Sequence, residues 1–214
     1  KSIPRIVNTL GKDTKIIIIL RRPDERAYSN YLHHVRDGYE PLKFHDALKA
    51  ENLRRNKKWW WGFYYADVGF YHGQAKSYID TFGADNVLIV LYDELVKDPS
   101  SLLKKIFMFL NVDDSFSPNL SSWYNTAMVP RSRSLQIFLS SNNNIKSFFS
   151  PLLPASFRSR IKRRIKNLNL KKPGKKLTDQ VKREKNCLIE LYREDILRLQ
   201  ELSKKDLSVW LKKD

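Results

Sequence analysis

Cysteine is almost missing from this sequence: Cys187 is the single one among 214 residues, so no disulfide can form within the chain. An unbridged chain of this size points to a reducing, cytoplasmic setting, and Cys187, set inside a helical pattern, reads as a small buried apolar residue. Glycine is scarce too, with seven residues, and neither an internal repeat nor a low-complexity linker divides the chain. The simplest organisation is one domain over residues 1–214. No apolar run approaches the ~20 residues of a membrane helix, and Lys1 does not open a charged-then-apolar leader. Histidines number four; the adjacent His33 and His34 with one distant cysteine make no zinc set, so no metal is expected. Acidic residues are the other deficit: 23 stand against 40 Lys and Arg, for a net charge of +17. That excess predicts attraction to polyanions, whether nucleic acid, acidic glycan, anionic lipid or nucleotide phosphate.

What the chain does contain is 42% hydrophobic residues, enough for one substantial core. Residues 15–20, KIIIIL, and 86–92, NVLIVLY, read as short strands buried on both faces, as in a parallel sheet. RRPDERAYSNYLHHV follows the first, with Pro23 suited to a first helical position and Asp24 and Glu25 to the positive helix end. Val68, Tyr71, Ala75, Tyr78, Ile79 and Phe82 recur at helical spacing until Gly83 stops them before the second strand. Pro99 opens a further helix with Leu102, Ile106 and Leu110 on its buried face, ending at Asn111. Phe157, Ile161, Ile165 and Leu168 keep helical spacing among Arg158, Arg160, Lys162, Arg163, Arg164 and Lys166, which makes a basic amphipathic helix. Leu188, Tyr192, Ile196, Leu199 and Leu202 mark the last helix. Strands alternating with helices predict an α/β fold, an open parallel sheet with helices on both faces.

In such sheets ligands gather beyond the carboxyl ends of the strands. Arg21 ends the first strand there, and Ser29 lies on the next helix. A guanidinium fork, a hydroxyl and the free N–H groups of a helix start make a phosphate clamp. An Arg at a strand end equally serves solvation or an ion pair with the next helix. ILRRPDERAYSNYLHH resembles the 3′-phosphate-binding segment of sulfotransferases that use 3′-phosphoadenosine 5′-phosphosulfate (PAPS), including the heparan-sulfate-type enzymes. GFYHGQAKSYIDTFGADNVLIVLYDELVKDPSSLLKKIFMFLNV is similar to the family's following helix, strand and helix, and LIELYREDILRLQELSKKDLSVWL to its closing stretch.

This resemblance implies a fold related to P-loop nucleotide-binding proteins, PAPS as co-substrate, and Arg21 and Ser29 as ligands of its 3′-phosphate. The implied reaction moves a sulfuryl group to a hydroxyl or amine, with a carbohydrate the expected acceptor. Its transition state spreads negative charge over peripheral oxygens, so basic side chains should dominate the site. The family's first strand and its basic, Gly- and Thr-containing loop for the 5′-phosphosulfate find no counterpart before Lys15. Gly11-Lys12 leads into a strand and reads as a turn. Either the sequence corresponds to the family's C-terminal portion, inactive by itself without the catalytic loop, or the protein has lost the chemistry; relatives also occur as lumenal domains behind a membrane anchor.

A His at the position of His33 lies near the transfer site in the heparan-type enzymes, which implies either a general base on the acceptor hydroxyl or a donor to the bridging oxygen; the other reading of His33 and His34 is a surface pair without a duty. Trp59, Trp60 and Trp61, beside Lys57 and Lys58, suit a stacking platform for sugar rings, with Trp59 and Trp60 as substrate contacts, or a cluster closing over a core edge with at least one ring buried. Tyr71 reads as packing and Lys76 as solvated. The segment Lys171-Lys172-Pro173-Gly174 resembles the family's basic loop that closes on the 3′-phosphate, which would make Lys171 and Lys172 cofactor ligands. The stretch from Arg158 to Lys176 fits a solvated face, an anionic membrane surface, an acidic acceptor or the cofactor's phosphates. The competing reading of the whole chain is a non-catalytic basic module holding nucleic acid or anionic membrane. No nucleic-acid fold signature is present, so no specific nucleic acid is expected.

Overall fold

The computed structural model describes residues 2–116, 118, 119, 128–141, 155–172, 174 and 178–213. In chain order its elements are α1 (Ser2–Leu10), β1 (Ile16–Leu20), α2 (Pro23–Asp37), α3 (Phe44–Lys49), α4 (Glu51–Asn56), α5 (His72–Phe82), β2 (Val87–Leu91), α6 (Tyr92–Lys97) and α7 (Pro99–Leu110). Then come β3 (Val129–Pro130), α8 (Arg133–Ser140), α9 (Ala155–Leu168), β4 (Leu170–Lys171) and α10 (Asp179–Ser203). The fold is mostly helical α/β. It divides into two compact units, one of Lys1–Arg26, Asp67–Tyr124 and Asn186–Asp214, the other of Ala27–Ala66 and Asn125–Lys185.

The first unit is built on the two apolar runs. β1 and β2 pair in parallel, from Ile16 opposite Val87 to Leu20 opposite Leu91, as β-branched runs joined through intervening helices must. Tyr71, Ala75 and Phe82 are buried along α5, and Gly83 ends that helix at φ 84°, a left-handed conformation that favours glycine. The helix starts at His72, later than the periodicity from Val68 suggests, because Asp67–Gly69 forms a separate 3-10 turn. The Asp195 carboxylate accepts from the backbone N–H groups of Tyr71 (2.7 Å) and His72 (3.1 Å) and so caps the helix there. Asp98, Pro99 and the left-handed Asn111 (φ 55°) bound α7 where the sequence places its ends. Leu188, Ile189, Tyr192, Ile196 and Leu199 form the buried stripe of α10. Cys187 is exposed, not buried as its helical context suggests, because it lies on the face opposite that stripe. The N-terminal α1 has no counterpart in the sequence reading, and Gly11-Lys12 is indeed the turn that follows it.

The second unit packs α2, α3, α4, α8 and α9 with a short antiparallel ladder, Val129 opposite Lys171 and Pro130 opposite Leu170. Thus Lys171 sits in a strand and not in a free basic loop; Pro173 and residues 175–177 lie outside the described residues. Buried Asn169 ties the ladder to α8. Its Nδ2 donates to the Gln136 side chain at 2.9 Å, and its Oδ1 accepts from the Ser132 backbone at 2.9 Å. Trp59, Trp60 and Trp61 are 46, 58 and 60% exposed, so none of the three rings is a core ring. The buried space nearby is taken by Arg54 and Tyr65, while Lys58 turns the chain at φ 55°. Among the described residues, no helix is long and apolar enough to cross a membrane.

Candidate functional site

Arg21 follows the last residue of β1 and precedes Pro23, the first residue of α2. Its backbone is fixed, since the Tyr71 hydroxyl donates to the Arg21 carbonyl at 2.9 Å. Burial pushes that phenol up to about 12, so it remains a neutral donor at any working pH. The Arg21 guanidinium rests over the Tyr92 ring, 5.0 Å from its centroid, and gives one nitrogen to Glu25 at 3.2 Å. Its side chain is one-third exposed, and a guanidinium carries five N–H donors in a fixed fork. The contact with Glu25 is the ion pair with the next helix that a strand-end arginine can make, and Tyr92 and Glu25 together hold the guanidinium in place. Asp24, fully buried in the first turn of α2, pairs with Arg22 at 2.8 Å, so the adjoining arginine is committed to structure.

Further along α2, in the second unit, Ser29 is half-buried and His33 lies one turn on, on the same face. His33 is about half exposed, with Nδ1 3.3 Å from Asp37 and Nε2 accepting from Arg36 at 2.7 Å. These partners assign the proton to Nδ1 and leave Nε2 as the basic nitrogen. His34, next in sequence, is buried, and its ring lies 5.7 Å from Trp60 and 6.2 Å from His33. Asn30 donates to the Gly62 carbonyl at 2.8 Å and pins the tryptophan segment to α2. A Cβ at Gly62 would come within 2.3 Å of the Trp60 ring, so a larger residue there would displace that ring from its place. Ser29 and His33 thus share a face of α2, and Trp60 lies against its His34, whereas Trp59 meets Phe63 and Arg54. Lys171 and Lys172 are exposed on and beside β4, and no hydrogen bond or ion pair links them to α2 among the described residues. Tyr71 is packed, and Lys76 is exposed in a pair with Asp80 at 2.5 Å.

A strand-end arginine followed by a helix carrying serine and histidine is the arrangement on which the family comparison bears. The model of the sulfotransferase domain matches residues 1–163. This chain belongs to the sulfotransferase domain family. No curated protein matches it. Among solved structures it is similar to a sulfotransferase from Alicyclobacillus acidocaldarius, at 26% sequence identity and a TM-score of 0.68, over 98% of this chain and 62% of that one. The chain thus spans less than two thirds of that sulfotransferase's length.

Two features of this sulfotransferase domain had no signal in the sequence. Beneath the tryptophans, Glu40 takes two hydrogen bonds from Arg54, at 2.6 and 2.9 Å, and one from the Tyr65 hydroxyl at 2.8 Å. Because Tyr65 spends its proton on Glu40, His34 Nδ1 donates to the Tyr65 oxygen at 3.1 Å. Burial holds the His34 imidazole below its usual value, with the neighbouring His33 acting in the same direction, and the ring stays neutral. The second feature is a cavity of about 410 Å³ lined by Tyr28, Tyr31, Phe44, His45, Arg133 and Glu184. His45 and Glu184, 139 positions apart, are hydrogen-bonded at its wall. Only tertiary structure brings such partners together; no local spacing announces them. Among the described residues, no group of three or more His, Cys, Asp or Glu could hold a metal ion.

Proposed function

We propose that this chain binds the 3′-phosphate of PAPS through Arg21 and Ser29 and serves sulfuryl transfer to a hydroxyl or amine, on a carbohydrate acceptor. The observation that carries the reading is the position of Arg21 at the carboxyl end of β1, with its guanidinium held by Glu25 and Tyr92 and its side chain one-third exposed. A phosphate dianion needs a guanidinium fork together with further donors. Ser29 supplies a hydroxyl from α2. Family membership and the similarity to a bacterial sulfotransferase support the same reading, as does the excess of cations over the chain. In this view the parallel pair β1 and β2 belongs to an open, P-loop-like sheet flanked by helices.

PAPS supplies an activated sulfuryl group on its 5′-phosphate. The residues of this chain orient it and manage the proton. Arg21 and Ser29 hold the far phosphate, which fixes the donor by contacts remote from the reacting bond. His33 Nε2, with Asp37 steadying the opposite nitrogen, takes the proton of the attacking hydroxyl once Arg36 releases it. Trp60, exposed beside His34, and Trp59, exposed beside Phe63, offer the flat apolar faces on which sugar rings stack. Lys171 and Lys172 add positive charge on the second unit without a defined seat.

Transfer of labelled sulfate from PAPS to a panel of glycans tests the reading. In a protein that joins this chain to a 5′-phosphosulfate loop, His33→Ala is expected to slow transfer by about 10²–10⁴-fold, the usual worth of a general base, while nucleotide affinity stays within about twofold. Transfer undiminished in His33→Ala removes that residue from the mechanism, and donor binding without transfer to any acceptor contradicts the catalytic reading.

A further inference from the structure

The strongest feature that the proposed chemistry leaves unused is α9. Its sequence, ASFRSRIKRRIKNL, contains no acidic residue. At 100° per residue, Phe157, Ile161, Ile165 and Leu168 fall within an arc of about 80°. Those four side chains are 49, 39, 37 and 71% exposed, so the stripe is open to solvent along its length and most fully at its two ends. The opposite side of the helix is the fastened one. Lys166 is half-buried there, and its Nζ donates to the Asp37 carbonyl at 3.4 Å. Arg160, Lys162, Arg163 and Arg164 are all exposed, and Arg160 and Arg164 border the stripe.

We propose that α9 docks this protein onto anionic membrane surfaces, lying along the interface with its apolar stripe at the acyl boundary. Charge complementarity selects this occupant. Nucleic acid would neutralise the arginines and leave four large apolar side chains in water. An apolar protein groove would cover the stripe and strand the cations. An anionic bilayer satisfies both at once, because arginine stems lie along the apolar boundary while guanidinium groups reach the headgroup phosphates. With 14 residues the helix is about 21 Å long, suited to lie on the surface and too short to span. The net charge of +17 adds long-range attraction to the same surface.

Cosedimentation of the full chain with vesicles tests this, using phosphatidylcholine alone and phosphatidylcholine mixed with phosphatidylglycerol, with no nucleotide present, so the outcome is independent of the sulfuryl-transfer reading. Binding is expected on the mixed vesicles only. It should weaken by about tenfold or more in the double variant Ile161→Asp with Ile165→Asp, and likewise in Arg160→Gln with Arg164→Gln. Arg160 and Arg164 are exposed and Ile161 and Ile165 are 39 and 37% exposed, and melting by circular dichroism checks that each variant folds. No binding to mixed vesicles, equal binding to neutral ones, or binding unchanged by the aspartates overturns the proposal. Should the aspartate variant not fold, a fluorophore placed at Phe157→Cys in a Cys187→Ser background replaces it. A blue shift on mixed vesicles is expected, and unchanged emission overturns the proposal.

Discussion

Arg54 and Glu40 meet with side chains 5 and 0% exposed, and the consequence of such burial is asymmetric. Truncating one partner strands a charge in a place that water cannot reach, which costs about 3–5 kcal/mol, whereas the intact pair contributes far less in net terms. Arg54→Met is therefore expected to destabilise the fold by about 3–5 kcal/mol in denaturant titration; a loss under about 1 kcal/mol would mean that Glu40 is not held as described. His34 has a pH signature. Burial depresses its folded pKa below the usual 6.5, so the unfolded chain binds its proton more readily. The stability held by neutral His34 is complete above about pH 6.5 and declines as pH falls from there toward the lowered folded value. Replacing it in His34→Gln should flatten the fall of melting temperature between pH 7 and 5, and an unchanged slope would assign that fall to other groups. Sequence reading singled out Arg21, Ser29 and His33 because all three lie in one contiguous stretch that resembles a sulfotransferase segment; the strand-end position alone left Arg21 equally open to an ion pair. It did not find Glu40, Arg54 or Tyr65, which are 14 and 25 positions from one another at Glu40 and follow no short motif.

Among the elements, those written in one short stretch of chain were the legible ones. β1 and β2 are apolar runs, and α7 carries its own boundaries in Asp98, Pro99 and Asn111. The exposed tryptophans and the exposed Cys187 ran against composition-based expectation, since burial is decided by what already fills the space and by which helix face a residue occupies. The end of α2 supplies the prediction at this scale. Gly38 follows it at φ 79°, where an added Cβ would stand 2.6 Å from the Gln136 carbonyl and 2.3 Å from the Ser140 hydroxyl. Gly38→Ala meets backbone strain and a backbone clash together and is expected to destabilise by about 2 kcal/mol or more. Asn111→Gly, at a similar left-handed φ of 55° with asparagine already tolerated, should change stability by less than about 1 kcal/mol. Thermal melts of the two variants side by side check the contrast; equal effects would contradict it.

For the whole molecule, the sulfotransferase domain family's match runs over residues 1–163 and so takes in the parallel pair and residues of both units. The central claim concerns the strand-end arginine of the first unit. Titration calorimetry of the chain with adenosine 3′,5′-bisphosphate and with adenosine 5′-monophosphate, at one moderate salt concentration, tests it most directly. A charge-assisted hydrogen-bond set of this kind is worth about 1.5–3 kcal/mol, so the bisphosphate should bind at least about tenfold more tightly, and Arg21→Ala should erase the difference. Equal affinity for the two nucleotides, or a preference that survives Arg21→Ala, would contradict the 3′-phosphate clamp.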